Sequence, residues 1–243
     1  VTGLLRMVDI IRIDHFRGFG AAWVVPADAE NAAAGHWELA PGGEVFAAIN
    51  RDLGDVPVII EDLGVITPDV IALREVLGLP GMNVLQFAFD GDPENVYLPH
   101  NYRRDSVVYT ATHDNQTTIG WFQSRSDREQ DLVRHYTGTS GEDIAWDMIR
   151  LALASVANTA ILSLQDILRL DDAARMNVPG QAIGNWSWRY QDWQLEDGLA
   201  DGLRSLTHTY GRAATDGAPR DPNPWDYTVR RPNVTLIDPF AAP

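Results

Sequence analysis

The chain alternates short apolar runs with amphipathic stretches, a pattern typical of strands and helices that follow one another. Strands of a parallel sheet are buried on both faces, so they read as continuous apolar runs. Because strands that alternate with helices form right-handed βαβ units, we predict an α/β fold with a parallel sheet. The predicted strands are residues 8–13, 56–60, 82–89, 106–110 and 159–164, and the predicted helices are residues 44–53, 67–77, 127–135 and 142–156.

Capping and turn residues mark several boundaries between these elements. Thr67 and Pro68 stand at the N-cap and the first position of the second predicted helix, and Gly78 ends it. Residues 35–43, GHWELAPGG, are rich in Gly and Pro, so we predict a loop there. Residues 217–243 are rich in Pro, Asp and Arg, which predicts an irregular C-terminal tail.

The composition excludes several classes of partner and chemistry. The 243 residues include 34 acidic and 19 basic ones, and the net charge of −15 argues against a nucleic acid or an anionic membrane as partner. The absence of cysteine excludes disulfides, thiolate metal sites and thiol nucleophiles. We find no signal peptide, no apolar stretch near the ~20 residues that cross a bilayer, and no glycine-rich nucleotide loop. We therefore expect a cytoplasmic protein without a nucleotide cofactor.

The first candidate for catalysis lies at the end of the first apolar run. Arg12 and Asp14 are two positions apart, so on a strand their side chains point to the same face. A guanidinium beside a carboxylate favours the ionised form, which is the state that a carboxylate nucleophile needs. A structural ion pair at a strand end explains the same two residues equally well on this segment alone.

Two further predicted strands also end in acidic residues. Glu61 and Asp62 follow the second predicted strand, and His113 and Asp114 follow the fourth. A carboxyl group that is partly desolvated beside another carboxylate suits a general acid, although a capping or loop acid is the alternative reading. Active sites of parallel α/β barrels lie at the C-terminal ends of strands, so three strands with terminal carboxylates favour one active site. Enzymes that transfer sugars use a pair of carboxylates that flank the glycosidic bond.

Several longer motifs resemble those of a known enzyme family. Over residues 8–189 the chain is similar to the 4-α-glucanotransferases called amylomaltases, within the α-amylase clan. The motifs that carry the resemblance are, in chain order, RIDHFRG at 12–18, GHWELAPGGEVF, IIEDLG at 59–64, LPGMNVLQFAF, LPHNY, YTATHDNQTT at 109–118 and ARMNVPGQAIGNWSWR.

The resemblance implies a fold and a reaction. The fold is a (β/α)8 TIM barrel, of which residues 1–216 are expected to form the C-terminal strands and helices. The reaction is a retaining double displacement on maltooligosaccharides and other α-1,4-glucans. We expect no metal and no cofactor, because neighbours on a strand face opposite ways and neither His15 with Asp14 nor His113 with Asp114 forms a plausible metal site. At the matching positions, Asp14 is expected to be the nucleophile and Glu61 the general acid and then the general base. Asp114 is expected to hold the hydroxyls of the distorted sugar.

The same resemblance implies further contacts with the substrate. Arg12 and His113 are expected to orient the nucleophile and the sugar. Asn177 and Asn185 lie in the late motif together with its tryptophans, and the family places substrate contacts there. Packing beneath a loop is an equally good explanation for these late residues.

The chain also departs from the family pattern. Complete members have three more barrel strands before the one that ends at Asp14, and the first residue, Val1, is not an initiator methionine. About five strands would leave two open sheet edges and an unfilled interior. We therefore expect the N-terminal half of the same enzyme as the missing partner, and reduced activity from this chain alone.

Two other functions remain open at the level of the sequence. A hydrolase of the same clan would use the same three acids and differ only in the nucleophile that attacks the intermediate. A half-barrel that binds carbohydrate without turnover would keep the fold and lose the activity. The products formed from maltotriose distinguish transfer from hydrolysis, and unchanged glucan binding after Asp14→Asn would favour the binding fragment.

Overall fold

A computed structural model describes residues 1–213, and the tail predicted at 217–243 lies outside the described residues. The described chain divides into two compact units, residues 1–82 and residues 83–213. The strands within residues 1–213 are Ile11–Ile13 (β1), Ala21–Val24 (β2), His36–Leu39 (β3), Val58–Ile60 (β4), Gly81–Val84 (β5), Ser106–Tyr109 (β6) and Thr159–Ile161 (β7). The α-helices in the same range are Gly42–Leu53 (α1), Pro68–Leu77 (α2), Thr118–Gln123 (α3), Asp127–Thr137 (α4), Ile144–Ala154 (α5), Leu164–Ile167 (α6) and Asp197–Thr209 (α7).

The central feature of residues 1–82 is a parallel pair of strands. β1 pairs with β4 in a register that places Ile11 opposite Val58 and Ile13 opposite Ile60. Because α1 lies between these strands in the chain, the pair forms a βαβ crossover, and the predicted α/β fold is confirmed here. Apolar side chains from the strands and from both helices of this unit form one buried core, which consists of Phe16, Phe46, Val58, Ile60, Val70, Leu73 and Leu77.

An antiparallel hairpin of β2 and β3 occupies part of the predicted loop at 35–43, so that prediction is wrong for His36–Leu39. Trp23 lies opposite Trp37, and their ring centroids are 5.4 Å apart in an edge-to-face arrangement. The Trp23 ring lies so close to Gly35 that a side chain there has no room. Cross-strand aromatic pairs stabilise antiparallel strands. The glycine that indicated a loop therefore permits close packing at the start of a strand.

A three-stranded sheet in the order β5–β6–β7 lies mostly within residues 83–213, and its strands β6 and β7 run parallel. A second apolar cluster joins α5 to α7 through Ile149, Leu153 and Leu206. None of the helices in residues 1–213 has both the length and the apolar character needed to span a membrane. The main core of this unit is formed by Leu85, Ala88, Phe89, Leu98, Tyr102, Val108, Trp121, Phe122, Val133, Ile144, Met148, Ala152 and Ala157.

All predicted strands and helices are present, but the strands are shorter than predicted. The strand expected at 82–89 ends at Val84, where the 3-10 helix Leu85–Phe87 begins. β1 and β7 have only three residues each, because the backbone pairing of each with its neighbouring strand covers three residues. Helix α2 ends before Gly78, whose φ of 61° is the left-handed conformation that favours glycine. The sequence pattern does not predict α3, α6 or α7.

Candidate active site

Asp14 and Glu61 directly follow two hydrogen-bonded parallel strands. The last paired residues of β1 and β4 are Ile13 and Ile60, so the two acids occupy the next position of each strand. The Glu61 backbone N–H donates to the Ile13 carbonyl at 2.8 Å, and the Phe16 N–H donates to the Glu61 carbonyl at 2.8 Å. The strand register therefore brings these two predicted site residues together at the carboxyl ends of their strands, where α/β enzymes carry their chemistry.

The Glu61 carboxylate is held by backbone amides. The His15 N–H donates to Oε2 at 2.7 Å, and the Leu63 N–H donates to Oε1 at 3.2 Å. His15 adopts a left-handed conformation with φ of 49°, which costs a residue with a Cβ roughly 1–2 kcal/mol. That conformation turns the chain after β1 and aims the His15 amide at Glu61. The turn after one strand thus orients the acid that follows the other strand.

Asp14 is the exposed member of the pair. Arg12 Nη1 donates to Asp14 Oδ1 at 2.7 Å, so the predicted projection to one face is observed. The Asp14 side chain is 73 % exposed and that of Arg12 is 29 % exposed. An exposed carboxylate that contacts a cation through one oxygen leaves the other oxygen accessible to a ligand.

The next acid, Asp62, has a structural role. Its side chain is buried, accepts a hydrogen bond from Arg74 Nη1 at 2.7 Å, and accepts another from the Met82 N–H at 2.8 Å. Arg74 lies on α2, so the ion pair ties the end of β4 to that helix, and the hydrogen bond from Met82 ties it to β5. The sequence alone left open which acid faces the candidate site. The structure assigns the half-buried position at the strand end to Glu61.

Asp114 lies in the second unit, in the loop between β6 and α3. Asn177 Nδ2 donates to Asp114 Oδ1 at 2.5 Å, and His113 Nε2 lies 3.4 Å from Asp114 Oδ2. Arg175 Nη2 donates to the Asp114 backbone carbonyl at 2.6 Å. Asp114 is therefore held at both its side chain and its backbone. The sequence analysis includes Arg175 only as part of the late family motif, and it does not predict this contact because the partner lies 61 positions away.

The loop that contains Asn177 also packs on His113. The Asn177 N–H donates to the His113 carbonyl at 3.0 Å, and the His113 and Trp186 rings lie 5.1 Å apart. The Asn185 amide serves the same loop, since its Oδ1 accepts from the Val178 N–H at 2.9 Å. The structure thus brings Asn177 to Asp114, whereas it places the Asn185 side chain against backbone of its own loop.

Two further carboxylates, which the sequence analysis did not single out, fix the ends of the Asp114 loop. Asp166 is fully buried and accepts from the Thr110 hydroxyl at 2.6 Å and from the Thr118 N–H at 2.8 Å. Asp172 accepts from the Thr117 N–H at 3.0 Å. The partners in these contacts are 48 to 56 positions apart in the sequence, so no local sequence pattern predicts them. Within residues 1–213, no three His, Asp or Glu side chains are grouped to hold a metal ion.

Comparison with known proteins identifies the family of this chain. A family model described as 4-alpha-glucanotransferase matches residues 1–196. The chain belongs to the 4-alpha-glucanotransferase family. The resemblance drawn from the motifs is thereby confirmed.

Curated members of the 4-alpha-glucanotransferase family resemble this chain over most of its length. The 4-alpha-glucanotransferase of Synechocystis is 54 % identical over 211 residues, which cover 86 % of this chain and 42 % of the relative. That of Thermus thermophilus is 45 % identical over 216 residues, which cover 86 % of this chain and 43 % of the relative. The chain therefore spans less than half the length of these relatives.

Solved structures give the same relationship. The amylomaltase of Streptococcus agalactiae in complex with acarbose matches with a TM-score of 0.84 and 35 % identity, over 88 % of this chain and 44 % of that one. The amylomaltase of Corynebacterium glutamicum matches with a TM-score of 0.61 and 21 % identity, over 86 % of this chain and 35 % of that one. The second match bears on the fold alone.

Proposed function

We propose that this chain carries the catalytic residues of a 4-α-glucanotransferase, which transfers α-1,4-glucan segments to another glucan or to glucose. The observation that carries the proposal is the pairing of β1 with β4, which sets Asp14 and Glu61 at adjacent strand ends. One of these carboxylates is exposed beside a cation, and the other is oriented by backbone amides. Retaining sugar transfer needs a carboxylate nucleophile and a separate acid–base carboxyl group.

The reaction proceeds in two displacements. In the first, an Asp14 oxygen bonds to the anomeric carbon while the glycosidic C–O bond breaks and Glu61 gives its proton to the departing oxygen. In the second, Glu61 takes the proton of an acceptor hydroxyl, which attacks the anomeric carbon and releases Asp14. Two inversions at one carbon give net retention. The Arg12 guanidinium, at 2.7 Å from Asp14, orients the nucleophile.

We assign Asp114 to the hydroxyl groups of the distorted sugar, where a fixed carboxylate stabilises the cationic transition state. The support for this role is the matching family motif together with the restraint of Asp114 by Asn177 and Arg175. His113 is assigned to orientation of the same sugar. The family implies a substrate contact for Asn185. To make that contact, the Asn185 amide would have to give up its hydrogen bonds to the backbone of Val178 and Gln181.

The architecture proposed for residues 1–216 is the C-terminal portion of a (β/α)8 barrel. The parallel pairs β1–β4 and β6–β7 support it, since parallel strands joined by helices are the repeating unit of that barrel. Because the chain spans less than half the length of its relatives, we assign the activity to a protein of their full length. The remaining barrel strands of that protein complete the substrate site.

The substrates proposed are maltooligosaccharides and longer α-1,4-glucans. The related amylomaltase of Streptococcus agalactiae binds acarbose, and we expect the protein that contains this chain to bind it as well. The test is incubation of the full-length protein with maltotriose. Glucose together with oligosaccharides longer than maltotriose indicates transfer, whereas shorter sugars alone indicate hydrolysis and would overturn the proposal. We expect little or no transfer from the 243-residue chain by itself.

The nucleophile is tested by trapping the intermediate with a slowly hydrolysed fluorinated glucosyl donor. Digestion and peptide mass measurement then locate the added sugar. We expect the adduct on the peptide that contains Asp14, and its absence from the Asp14→Asn variant. An adduct on any other carboxylate would refute the assignment of Asp14.

A further inference from the structure

Two chain segments far apart in sequence are joined at Asp114 by one guanidinium group. Arg175 Nη2 donates to the Asp114 carbonyl at 2.6 Å, and its Nε donates to the Asn177 carbonyl at 2.9 Å. The Arg175 guanidinium thus bridges the backbone of the Asp114 loop and the backbone of its own segment. Hydrogen bonds from a charged donor are about twice as strong as those from neutral ones, so this bridge is a firm connection.

Asn177 completes the connection on the side chain of Asp114. Its Nδ2 donates to Oδ1 at 2.5 Å, and its backbone N–H donates to the His113 carbonyl at 3.0 Å. The amide is neutral, so it fixes one carboxylate oxygen and leaves the negative charge of Asp114 in place. The other oxygen lies 3.4 Å from His113 Nε2. One oxygen of Asp114 is therefore fixed by a hydrogen bond, and the other lies near the His113 ring.

We propose that Arg175 and Asn177 are positioning residues for Asp114 and act on the sugar only through it. This inference rests on the proposed transferase function. It assigns Asn177 a different role from direct substrate contact, because the Asn177 amide already donates to the carboxylate that would meet the sugar. Catalytic groups must be held within about 0.5 Å of their productive geometry. Loss of either residue therefore weakens stabilisation of the transition state more than binding of the ground state.

The first test measures steady-state kinetics of the full-length protein with maltotriose for Arg175→Ala, Arg175→Lys, Asn177→Ala and the wild type. We expect kcat to fall about 10- to 100-fold in both alanine variants while KM stays within about twofold, since uniform binding is retained. Arg175→Lys recovers part of the loss, because an ammonium can reach one of the two carbonyls. Arg150→Ala, at an exposed position of α5, is the matched control with unchanged kinetics. A raised KM with unchanged kcat in Asn177→Ala would overturn the proposal in favour of direct substrate contact.

The second test measures the pH optimum of kcat in the Asn177→Asp variant. A merely structural role of Asn177 would not shift this optimum. In this variant the introduced carboxylate repels Asp114 when it is ionised, whereas in its protonated form it donates to Oδ1 as the amide does. Within residues 1–213, the charged or titratable side chains in contact with Asp114 are those of His113 and Arg175, and both are retained. We expect the pH optimum of kcat to move to lower pH in Asn177→Asp and to stay in place in Asn177→Ala. Identical optima in the two variants would refute the positioning role.

The two proposals fail in different ways. If the wild-type protein makes no longer oligosaccharides from maltotriose, the transferase proposal fails. Hydrogen exchange then tests the connection itself, since Arg175→Ala should speed exchange in peptides covering residues 110–118 and 175–186, and Arg150→Ala should not. If the wild type is active, Asp114→Asn is inactive, and both Arg175 and Asn177 variants keep wild-type kcat, the positioning proposal fails while the transferase proposal stands.

Discussion

The candidate carboxylates of the two units are held in place by different means. In residues 1–82, Asp14 and Glu61 take their positions from strand pairing, and backbone amides orient Glu61. In residues 83–213, Asp114 lies in a loop and depends on side chains that belong to a segment about 60 positions later. Positions set by strand pairing come with the fold. Positions set by side chains depend on particular residues and are lost when single residues change.

The difference matches the proposed tasks. A nucleophile must move toward the anomeric carbon, and the side chain of Asp14 is 73 % exposed with one ionic contact. A group that stabilises the transition state works best when it is fixed beforehand. The Asp114 side chain is 45 % exposed, and one of its oxygens is fixed by a hydrogen bond from Asn177. The exposure of Asp14 therefore leaves room for a sugar at the proposed nucleophile, and the contacts of Asp114 keep the proposed stabilising carboxylate in place.

The largest effect that we predict is at Asp14. In the full-length protein, Asp14→Asn should lower the rate of transfer about 10⁴-fold or more, since an amide cannot form the covalent intermediate. The same change should leave the melting temperature nearly unaltered, because exposed ion pairs contribute only about 0–1 kcal/mol. The measurements are maltotriose disproportionation and calorimetric melting.

The control for Asp14→Asn is Asp9→Asn, five residues earlier at an exposed position before β1. It removes the same charge from the same stretch and should leave both rate and melting temperature unchanged. Comparable losses of activity in the two variants would show that general charge, and not nucleophilic attack, explains the effect of Asp14→Asn.

The contrast also explains what the sequence could predict. The Arg12–Asp14 contact follows from the period of a strand, and the bounds of α2 follow from Pro68 and Gly78. Both depend on residues within one element. Asn177 meets Asp114 across 63 positions, and no local periodicity encodes that contact. The sequence pattern did not predict the β2–β3 hairpin for the same reason. Its stabilising pair, Trp23 and Trp37, is separated by a loop that lacks the sequence signature of a short turn.

The next largest effect compares two buried carboxylates, one in each unit. Both partners of Asp62 are obligate donors, the Arg74 guanidinium and the Met82 N–H. In Asp62→Asn the new NH₂ group must face one of them, so we expect a loss of about 2–4 kcal/mol in stability. Asp166 has one adaptable partner, the Thr110 hydroxyl, which can accept as well as donate. We therefore expect Asp166→Asn to cost only about 1 kcal/mol.

Melting temperatures of the two asparagine variants test this difference, and amide exchange locates it. Exchange at Met82 should accelerate in Asp62→Asn, whereas exchange at Thr118 should stay slow in Asp166→Asn. Asp166→Ala is the check on burial, because it leaves the Thr110 hydroxyl and the Thr118 amide without their acceptor and should cost more than Asp166→Asn. Equal losses in the two asparagine variants would contradict the argument from donors and acceptors.

A smaller effect concerns the glycine that packs against Asp172 in the second unit. A Cβ atom at Gly120 of α3 would collide with the Asp172 carboxylate, which is fixed by the Thr117 N–H. We expect Gly120→Ala to destabilise the protein by about 1–3 kcal/mol, as overpacking does. Gly198→Ala on α7 meets open space and should stabilise by roughly 0.5–1 kcal/mol, the helix propensity of alanine over glycine. Opposite shifts in melting temperature are the expected result, and a stabilised Gly120→Ala would mean that Asp172 moves freely.

The smallest effect lies at a solvent-exposed side-chain contact, the capping box that begins α4. The Ser126 side chain accepts from the Glu129 N–H, and the Glu129 carboxylate accepts from the Ser126 hydroxyl and N–H. Hydrogen bonds from the Ser126 hydroxyl and then from its backbone hold the pKa of Glu129 below its ordinary value of 4.5. A carboxyl group with a lowered pKa in the folded state stabilises the fold above the unfolded pKa. That stabilisation is lost as the pH falls through the folded value.

Ser126→Ala should therefore destabilise the protein by about 1 kcal/mol near neutral pH. The difference between variant and wild type should shrink as the pH falls through the folded pKa of Glu129, because protonated Glu129 no longer gains from the hydrogen bond of the Ser126 hydroxyl, which is the one that the variant lacks. Melting temperatures at neutral and acidic pH measure it, with Ser205→Ala on the exposed face of α7 as a control that should show no dependence on pH. A constant difference for Ser126→Ala would mean that its hydroxyl stabilises α4 only through the Glu129 backbone amide. In that case the dependence on side-chain contacts would apply to the Asp114 loop of the second unit and would not extend to the exposed start of α4.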